Sequence, residues 1–181
     1  MNKAKYFLAI VVPEPFQTEI MDLKRYVNTT YKSKGALRSP AHITLHMPFE
    51  WKEEKEPDLI QKLKEFYFPE PPAISLKGFS CFEPRVIFID VKANQQLNDL
   101  QKKLVQYVKL NLNLFNQVND MRGFHAHVTI AFRDLKKPQF YQAWDHFKSQ
   151  NFEASFKATH FHLLKQNNNL WEVYHEFILD K

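Results

Sequence analysis

Apolar and polar positions alternate along this chain with two periods, one of strands and one of helices. Residues 6 to 12 form a continuous apolar run of strand length, closed by Pro13-Glu14-Pro15. Phe16, Ile20, Leu23 and Val27 then recur at helical spacing, and Pro13 and Pro15 suit a helix start. A polar loop holding Lys32, Lys34, Gly35 and Arg38 leads to a strand predicted from about His42 to Phe49. Leu59, Leu63 and Phe66 mark a second helix, stopped by Pro69, Pro71 and Pro72. Two β-rich runs, 73 to 82 and 85 to 91, predict a hairpin turning at Glu83-Pro84. Leu97, Leu100, Leu104 and Val108 define a long helix. Gly123 precedes a strand from about His125 to Phe132, and Phe140, Trp144 and Phe147 mark a fourth helix. Two closing strands are predicted, 152 to 165 and 170 to 179, around Asn167-Asn168-Asn169, whose residues tolerate left-handed backbone.

Strand, helix and hairpin thus occur twice. His42 and His127 lie 85 positions apart, and so do the starts of the two last hairpin strands, Arg85 and Leu170. The first strand with its helix, and the helix around Leu104, do not match as neatly. Equal offsets imply two related lobes facing one another. No Gly/Ser linker separates them, so residues 1 to 181 are expected to pack as one two-lobed unit.

Composition supports a globular chain. Of 181 residues, 44% are apolar, with 17 Phe, 7 Tyr and 3 Trp; three glycines leave little room for long disordered segments. The single Cys81 excludes an intramolecular disulfide and fits a reducing compartment; no neighbour activates it as a nucleophile. Lys3 and Lys5 before an apolar run resemble a signal peptide only superficially, since the run stops at Pro13 without a small-residue cleavage site. No stretch approaches the ~20 apolar residues of a membrane helix. The expectation is a cytoplasmic protein with no membrane partner. A net charge of +5 favours anionic partners, weakly on its own.

The chemistry lies in a duplicated pattern, His42-Ile43-Thr44-Leu45 and His127-Val128-Thr129-Ile130. Eight His and six Thr in random order would give roughly 0.3 occurrences of His-x-Thr. Two are present, at equivalent points of the repeat. Residues i and i+2 of a strand share a face, so imidazole and hydroxyl project together, ~6.5 to 7 Å apart at the backbone. A phosphate between two such strands would receive both hydroxyls. One histidine would deprotonate the attacking oxygen while the other protonates the leaving oxygen.

On these eight residues the chain resembles the two-histidine (2H) phosphoesterase superfamily, which includes 2′-5′ RNA ligase-like proteins and cyclic nucleotide phosphodiesterases. The resemblance implies an α+β fold of two pseudo-symmetric lobes, each an antiparallel sheet with outer helices, flanking a central cleft. It implies an enzyme that opens a 2′,3′-cyclic phosphate on RNA or a small nucleotide, or reversibly joins RNA ends through a 2′-5′ linkage, without cofactor or metal. His42 and His127 map onto the catalytic histidines, Thr44 and Thr129 onto the phosphate-binding hydroxyls. Relatives often use the second histidine as base, which makes His127 the base and His42 the acid. The chain departs from the commoner pattern at His46-Met47-Pro48-Phe49, where many relatives carry a Lys- and Gly-containing segment, and at Ala131-Phe132-Arg133, where the basic residue sits further along. Both departures bear on the substrate more than on the reaction.

Other readings stay open. A lone strand histidine usually just satisfies hydrogen bonds, and threonine is common in strands. His125 and His127 form an i, i+2 pair of a kind that zinc sites use, giving a metal-dependent hydrolase as one rival. His46 would share a face with His42, ~13 Å along the strand and too far to chelate with it. Arg133 has the parity of His127 and Thr129 if the strand runs that far, which would let it reach the phosphate; a solvated strand end is the equal alternative. Lys34, Arg38 and Arg122 precede the motif strands and would either steer RNA or, as such loop residues usually are, be simply solvated. Phe49, Trp51, Phe124 and Phe132 are suited to stacking on bases or to the core, and a non-catalytic RNA-binding module is the second rival. His146, His160, His162 and His175 carry no partner pattern. A monomer is assumed.

Overall fold

The computed structural model of the chain describes residues 2–115 and 123–180. The elements are β1 (Lys3–Val11), α1 (Phe16–Tyr31), β2 (His42–Lys52), α2 (Glu56–Lys64), β3 (Ala73–Phe82), β4 (Val86–Val91), α3 (Gln95–Leu112), β5 (His127–Ala131), α4 (Lys137–Phe147), β6 (Glu153–Lys157), β7 (His160–Asn167) and β8 (Leu170–Ile178). A 3-10 turn, Gly35–Arg38, precedes β2. The strands form two antiparallel four-stranded sheets, ordered β2-β1-β7-β8 and β5-β4-β3-β6. The fold is the expected two-lobed α+β arrangement.

The lobes are not the two halves of the sequence. The first sheet takes β1 and β2 from one end of the chain and β7 and β8 from the other; the second holds β3 to β6. Each hairpin therefore completes the sheet opposite to the motif strand that precedes it. Position by position, β2 corresponds to β5, β1 to β4, β7 to β3 and β8 to β6. The counterpart of β1 is thus β4, a hairpin strand, which is why the offset of 85 does not extend to the first strand and helix.

The predicted strand over 152–165 is two strands in different sheets. β6 pairs with β3 and β7 with β1, and the chain crosses over at Ala158-Thr159, where Ala158 N donates to Pro72 O and Leu179 N to Thr159 O. The burial pattern shows the break. β6 alternates, with Ala154 and Phe156 turned inward, whereas Phe161 to Leu164 are all buried because β7 is covered on both faces. The β7–β8 turn places Asn168 and Asn169 at φ of 48° and 65°, the left-handed values that hairpin turns require.

Helices supply the outer layers through the stripes read from the sequence: Ile20 and Val27 on α1, Leu97, Leu100, Leu104 and Val108 on α3, and Phe140 and Phe147 on α4 are all buried. One continuous apolar cluster joins both sheets to these helices. Asn94 caps α3 by accepting from Leu97 N at 3.0 Å. Glu56, at the start of α2, receives Tyr6 Oη, Tyr174 Oη and Lys165 Nζ, fixing that helix across three strands of the first sheet. Among the described residues no helix is long and apolar enough to cross a membrane. Leu100 is fully buried at the centre of α3, so Leu100→Ala should lower the unfolding free energy by roughly 2–5 kcal/mol in urea titration, leaving the fold recognisable by circular dichroism.

Candidate functional site

β2 and β5 are each the edge strand of their sheet, and the two edges lie beside one another. Both carry the motif at the start of the strand, and both show one burial sequence. The histidine is half-buried, the next residue buried, the threonine half-buried, the following two buried and the sixth exposed. The pairing explains it. Thr44 lies opposite Ala9, yet His46, two residues on, lies opposite Leu8; Thr129 lies opposite Phe88, yet Ala131 lies opposite Ile87. Leu45 and Ile130 are therefore the extra residues of two β-bulges at the same motif position. Each bulge reverses the parity of the residues beyond it.

Before the bulge, His42 and Thr44 share one face and His127 and Thr129 share the other motif's face. The same hydrogen bond holds both rings. Nδ1 of His42 donates to the carbonyl of Pro40 at 2.7 Å, and Nδ1 of His127 donates to the carbonyl of His125 at 2.7 Å. A carbonyl only accepts, so Nδ1 carries the hydrogen and Nε2 holds the lone pair of each neutral ring. Phe7 packs on His42 with ring centres 4.9 Å apart, and Phe88 packs on His127 at the same distance. Neither Nε2 and neither threonine hydroxyl has a hydrogen-bond partner among the described residues. Two hydroxyls and two ring nitrogens are free to take up a tetrahedral anion.

The model of the 2′-5′ RNA ligase superfamily matches residues 12–170. The chain belongs to that superfamily. A protein of Oceanobacillus iheyensis named as a phosphoesterase is 30% identical over 181 residues, spanning 98% of this chain and 99% of its own. The RNA 2′,3′-cyclic phosphodiesterase of Archaeoglobus fulgidus is 27% identical over 152 residues, 82% of this chain and 83% of its own. In fold, the chain is similar to E. coli LigT complexed with 3′-AMP, with a TM-score of 0.66 at 18% identity, covering 99% and 100% of the two chains. TT0787 of Thermus thermophilus gives 0.65 at 19%, covering 97% and 98%.

In this 2′-5′ RNA ligase superfamily member the two histidines sit in unequal fields. Burial, and then the charge of Lys24, push His42 down to about 4; the Pro40 carbonyl opposes them and the charge of His127 adds to them. Burial also lowers His127, opposed by the His125 carbonyl, with the His125 charge lowering it and the Asp90 carboxylate raising it. His42 thus lies within electrostatic reach of His127, as two motif strands lying side by side require.

Two parity expectations change with the bulges. His46 does not share a face with His42. It turns into the core, 1% exposed, with Nδ1 donating to Met47 O at 2.8 Å and Nε2 buried without a partner among the described residues. Arg133 does not share a face with His127, because β5 ends at Ala131 and the parity passes to Phe132. Arg133 instead stacks over Phe132 and, with Arg85, Lys136 and Lys137, lines a cavity of about 320 Å³ at the strand end. The exposed residues just past the bulges, Met47 and Phe132, are the apolar flanks of the two motifs. Phe49, Trp51 and Phe124 pack against the core.

His125 faces Asp90, Nε2 to carboxylate 3.5 Å, while its ring centre stands 6.0 Å from that of His127. Among the described residues no three His, Cys, Asp or Glu side chains are grouped to hold a metal ion. Lys34 and Arg38 are exposed beside the 3-10 turn; Arg122 lies outside the described residues.

Sequence reasoning missed Asp134, Gln17, Lys24 and His162. Asp134 accepts from Ser33 Oγ at 2.8 Å, Lys34 N at 2.8 Å and Gly35 N at 2.9 Å, tying the loop before β2 to the end of β5. Gly35 is required there, since a Cβ would stand 2.7 Å from Asp134 Oδ1. Gln17 and Lys24, on α1, bond the segment that leads into His42. A legible signal existed for Lys24, which falls on the buried stripe between Ile20 and Val27. His162 accepts from Val11 N at 3.3 Å and donates to Glu176 at 3.0 Å, extending the first sheet where the β1–β7 pairing stops.

His42, His46 and His127 all bind protons less well folded than unfolded, so the unfolded chain takes up more protons as pH falls through the ordinary value near 6.5. Stability should fall from pH 7 towards pH 4, read as a lower urea midpoint. His46→Leu should flatten that slope, because it removes a buried ring with no acceptor for a second N–H.

Proposed function

We propose that this chain opens 2′,3′-cyclic phosphates on RNA or nucleotides, and with a ribose hydroxyl in place of water joins ends reversibly through a 2′-5′ linkage, with His42 and His127 moving the protons. The observation that carries this reading is the duplicated geometry: same bulge, same carbonyl on Nδ1, same free Nε2 beside a free threonine hydroxyl. Membership of the superfamily supports it, as does the name of the Archaeoglobus fulgidus relative.

Thr44 and Thr129 donate to the non-bridging oxygens of the phosphate. A water oxygen attacks phosphorus on one side and its proton passes to the neutral Nε2 of one histidine. On the opposite side the P–O bond to a ribose oxygen breaks, and that oxygen takes the proton from Nε2 of the other histidine. The product is a phosphomonoester and a free hydroxyl. A ribose hydroxyl replacing water gives the joining reaction, with the same two proton transfers.

The fields favour an assignment opposite to the one the family resemblance implied. Lys24 disfavours a proton on His42, which suits a base that rests neutral. Burial lowers His127 as well, with the His125 charge adding to it and the Asp90 carboxylate opposing it, so His127 is left the acid only by contrast with the Lys24 charge beside His42. Met47 and Phe132 flank the motifs as apolar rests for base or sugar, and the cavity at the end of β5, where Arg85, Arg133, Lys136 and Lys137 outnumber the single carboxylate of Asp134, offers a surplus of positive charge.

His42→Ala and His127→Ala should each cut kcat/KM on a 2′,3′-cyclic nucleotide by roughly 10²–10⁴. Thr44→Val and Thr129→Val should weaken it less. The wild-type rate should be bell-shaped in pH, since one ring acts neutral and the other protonated. A monotonic profile from about pH 5 to 9, or full activity in either histidine variant, would contradict the paired-histidine reading. Binding of RNA that survives both substitutions, with no turnover in the wild type, would mark a binding module instead.

A further inference from the structure

Lys24, the lysine of α1, is turned inward. It is 2% exposed, and among the described residues no carboxylate pairs with it. Its Nζ donates to the carbonyl of Ser39 at 3.0 Å. An ammonium held in a dry layer with one neutral acceptor is costly, and burial pushes Lys24 down to about 7. Such groups concentrate at functional sites.

Seven residues earlier, two helical turns along the same face, Gln17 grips the same stretch of chain. Its Nε2 donates to Val12 O at 2.9 Å and to Ala41 O at 3.1 Å, and its Oε1 accepts from Ala41 N at 2.6 Å. Val12 N also donates to Ala41 O at 2.9 Å. Residues 39 and 41 are thus fixed from α1, and between them stands Pro40, whose carbonyl receives Nδ1 of His42. Proline has no N–H to offer, and among the described residues α1 and β1 hold this three-residue entry segment through the carbonyl of Ser39 and through Ala41.

We propose that Lys24, with Gln17, is a positioning residue for His42: the two side chains clamp residues 39–41 so that the Pro40 carbonyl fixes the imidazole with Nε2 as its proton acceptor. This rests on the reading of His42 as a proton-transfer group. Among the described residues the second motif has no such clamp on its entry: His127 is oriented by the His125 carbonyl, and the charged groups bearing on it are His125 and Asp90. The charged groups bearing on His42 are Lys24 from α1 and His127 from β5. Elsewhere around α1, Asp22 pairs with Arg25, and Asp134 is taken up by Ser33, Lys34 and Gly35. Lys24 therefore does two things to one ring. It sets the geometry of the carbonyl behind it, and its charge adds to burial in keeping the ring neutral and able to accept.

The test is NMR titration of the His42 imidazole nitrogens in the wild type and in Lys24→Met, with thermal unfolding and the pH dependence of kcat/KM on a 2′,3′-cyclic nucleotide measured on both. In the wild type His42 should carry its hydrogen on Nδ1. In Lys24→Met the protein should be at least as stable, since a buried unpaired cation has been replaced by an apolar chain of similar volume. His42 should then take up a proton at a pH higher by roughly half a unit or more, the Nδ1–H form should lose population, and kcat should fall while KM holds. Lys24→Arg should recover the titration in part. An unchanged His42 titration and tautomer in Lys24→Met would overturn the proposal, as would a wild-type ring with its hydrogen on Nε2, even if the variant fails to fold. Because the ring is observed directly, absence of phosphodiesterase activity would count against the reaction and leave this result standing on its own.

Discussion

An imidazole can exchange protons with a substrate through one nitrogen only if something fixes the hydrogen on the other. Here that fixing group is the carbonyl two residues before each histidine, Pro40 O for His42 and His125 O for His127. The arrangement is possible because each histidine is the first residue of its strand, so the carbonyl at i−2 lies just outside the ladder and is not consumed by strand pairing. Each motif strand is also a sheet edge, which leaves a row of residues facing the other lobe. The bulge after each threonine then ends the motif face, turning His46 and Ala131 into the core. The placement of both histidines and both threonines depends on these backbone facts.

Packing between the two lobes supports that geometry. The first sheet joins β1 and β2 to the last two strands of the chain, whereas the second is built from the consecutive strands β3 to β6, so the lobe of β2 closes only when both ends of the chain come together. Asp134 adds a local tie between the loop before β2 and the end of β5. A site built from the edges of two sheets would be loose if the sheets moved separately. Continuous apolar packing and three hydrogen bonds to one carboxylate oppose that motion.

Much of this was legible in the sequence. The eight residues of the two motifs, their offset of 85 and the order of helices and hairpins are read directly, because apolar periodicity reports which face is buried. Bulges leave no such mark: Leu45-His46 and Ile130-Ala131 continue an apolar run whether or not the register slips, and the parities of His46 and Arg133 differ from the expected ones for that reason. The break at Ala158-Thr159 lacks glycine or proline, so only the change from alternating to continuous burial reveals it. Gln17 and Lys24 act through backbone atoms of a loop distant in sequence, and nothing local to either names that partner. The swap of strands between lobes is likewise a property of sheet pairing, which a repeat offset cannot distinguish from two separate halves.

The central claim is that both motifs address one phosphate. It is tested most directly by a crystal structure with vanadate and a nucleoside, a stand-in for the five-coordinate phosphorus. The vanadate oxygens should lie within hydrogen-bond reach of Thr44 Oγ1 and Thr129 Oγ1, with Nε2 of His42 and of His127 at opposite apical oxygens. An anion bound away from the groove, or contacted by only one of the two histidines, would contradict the account.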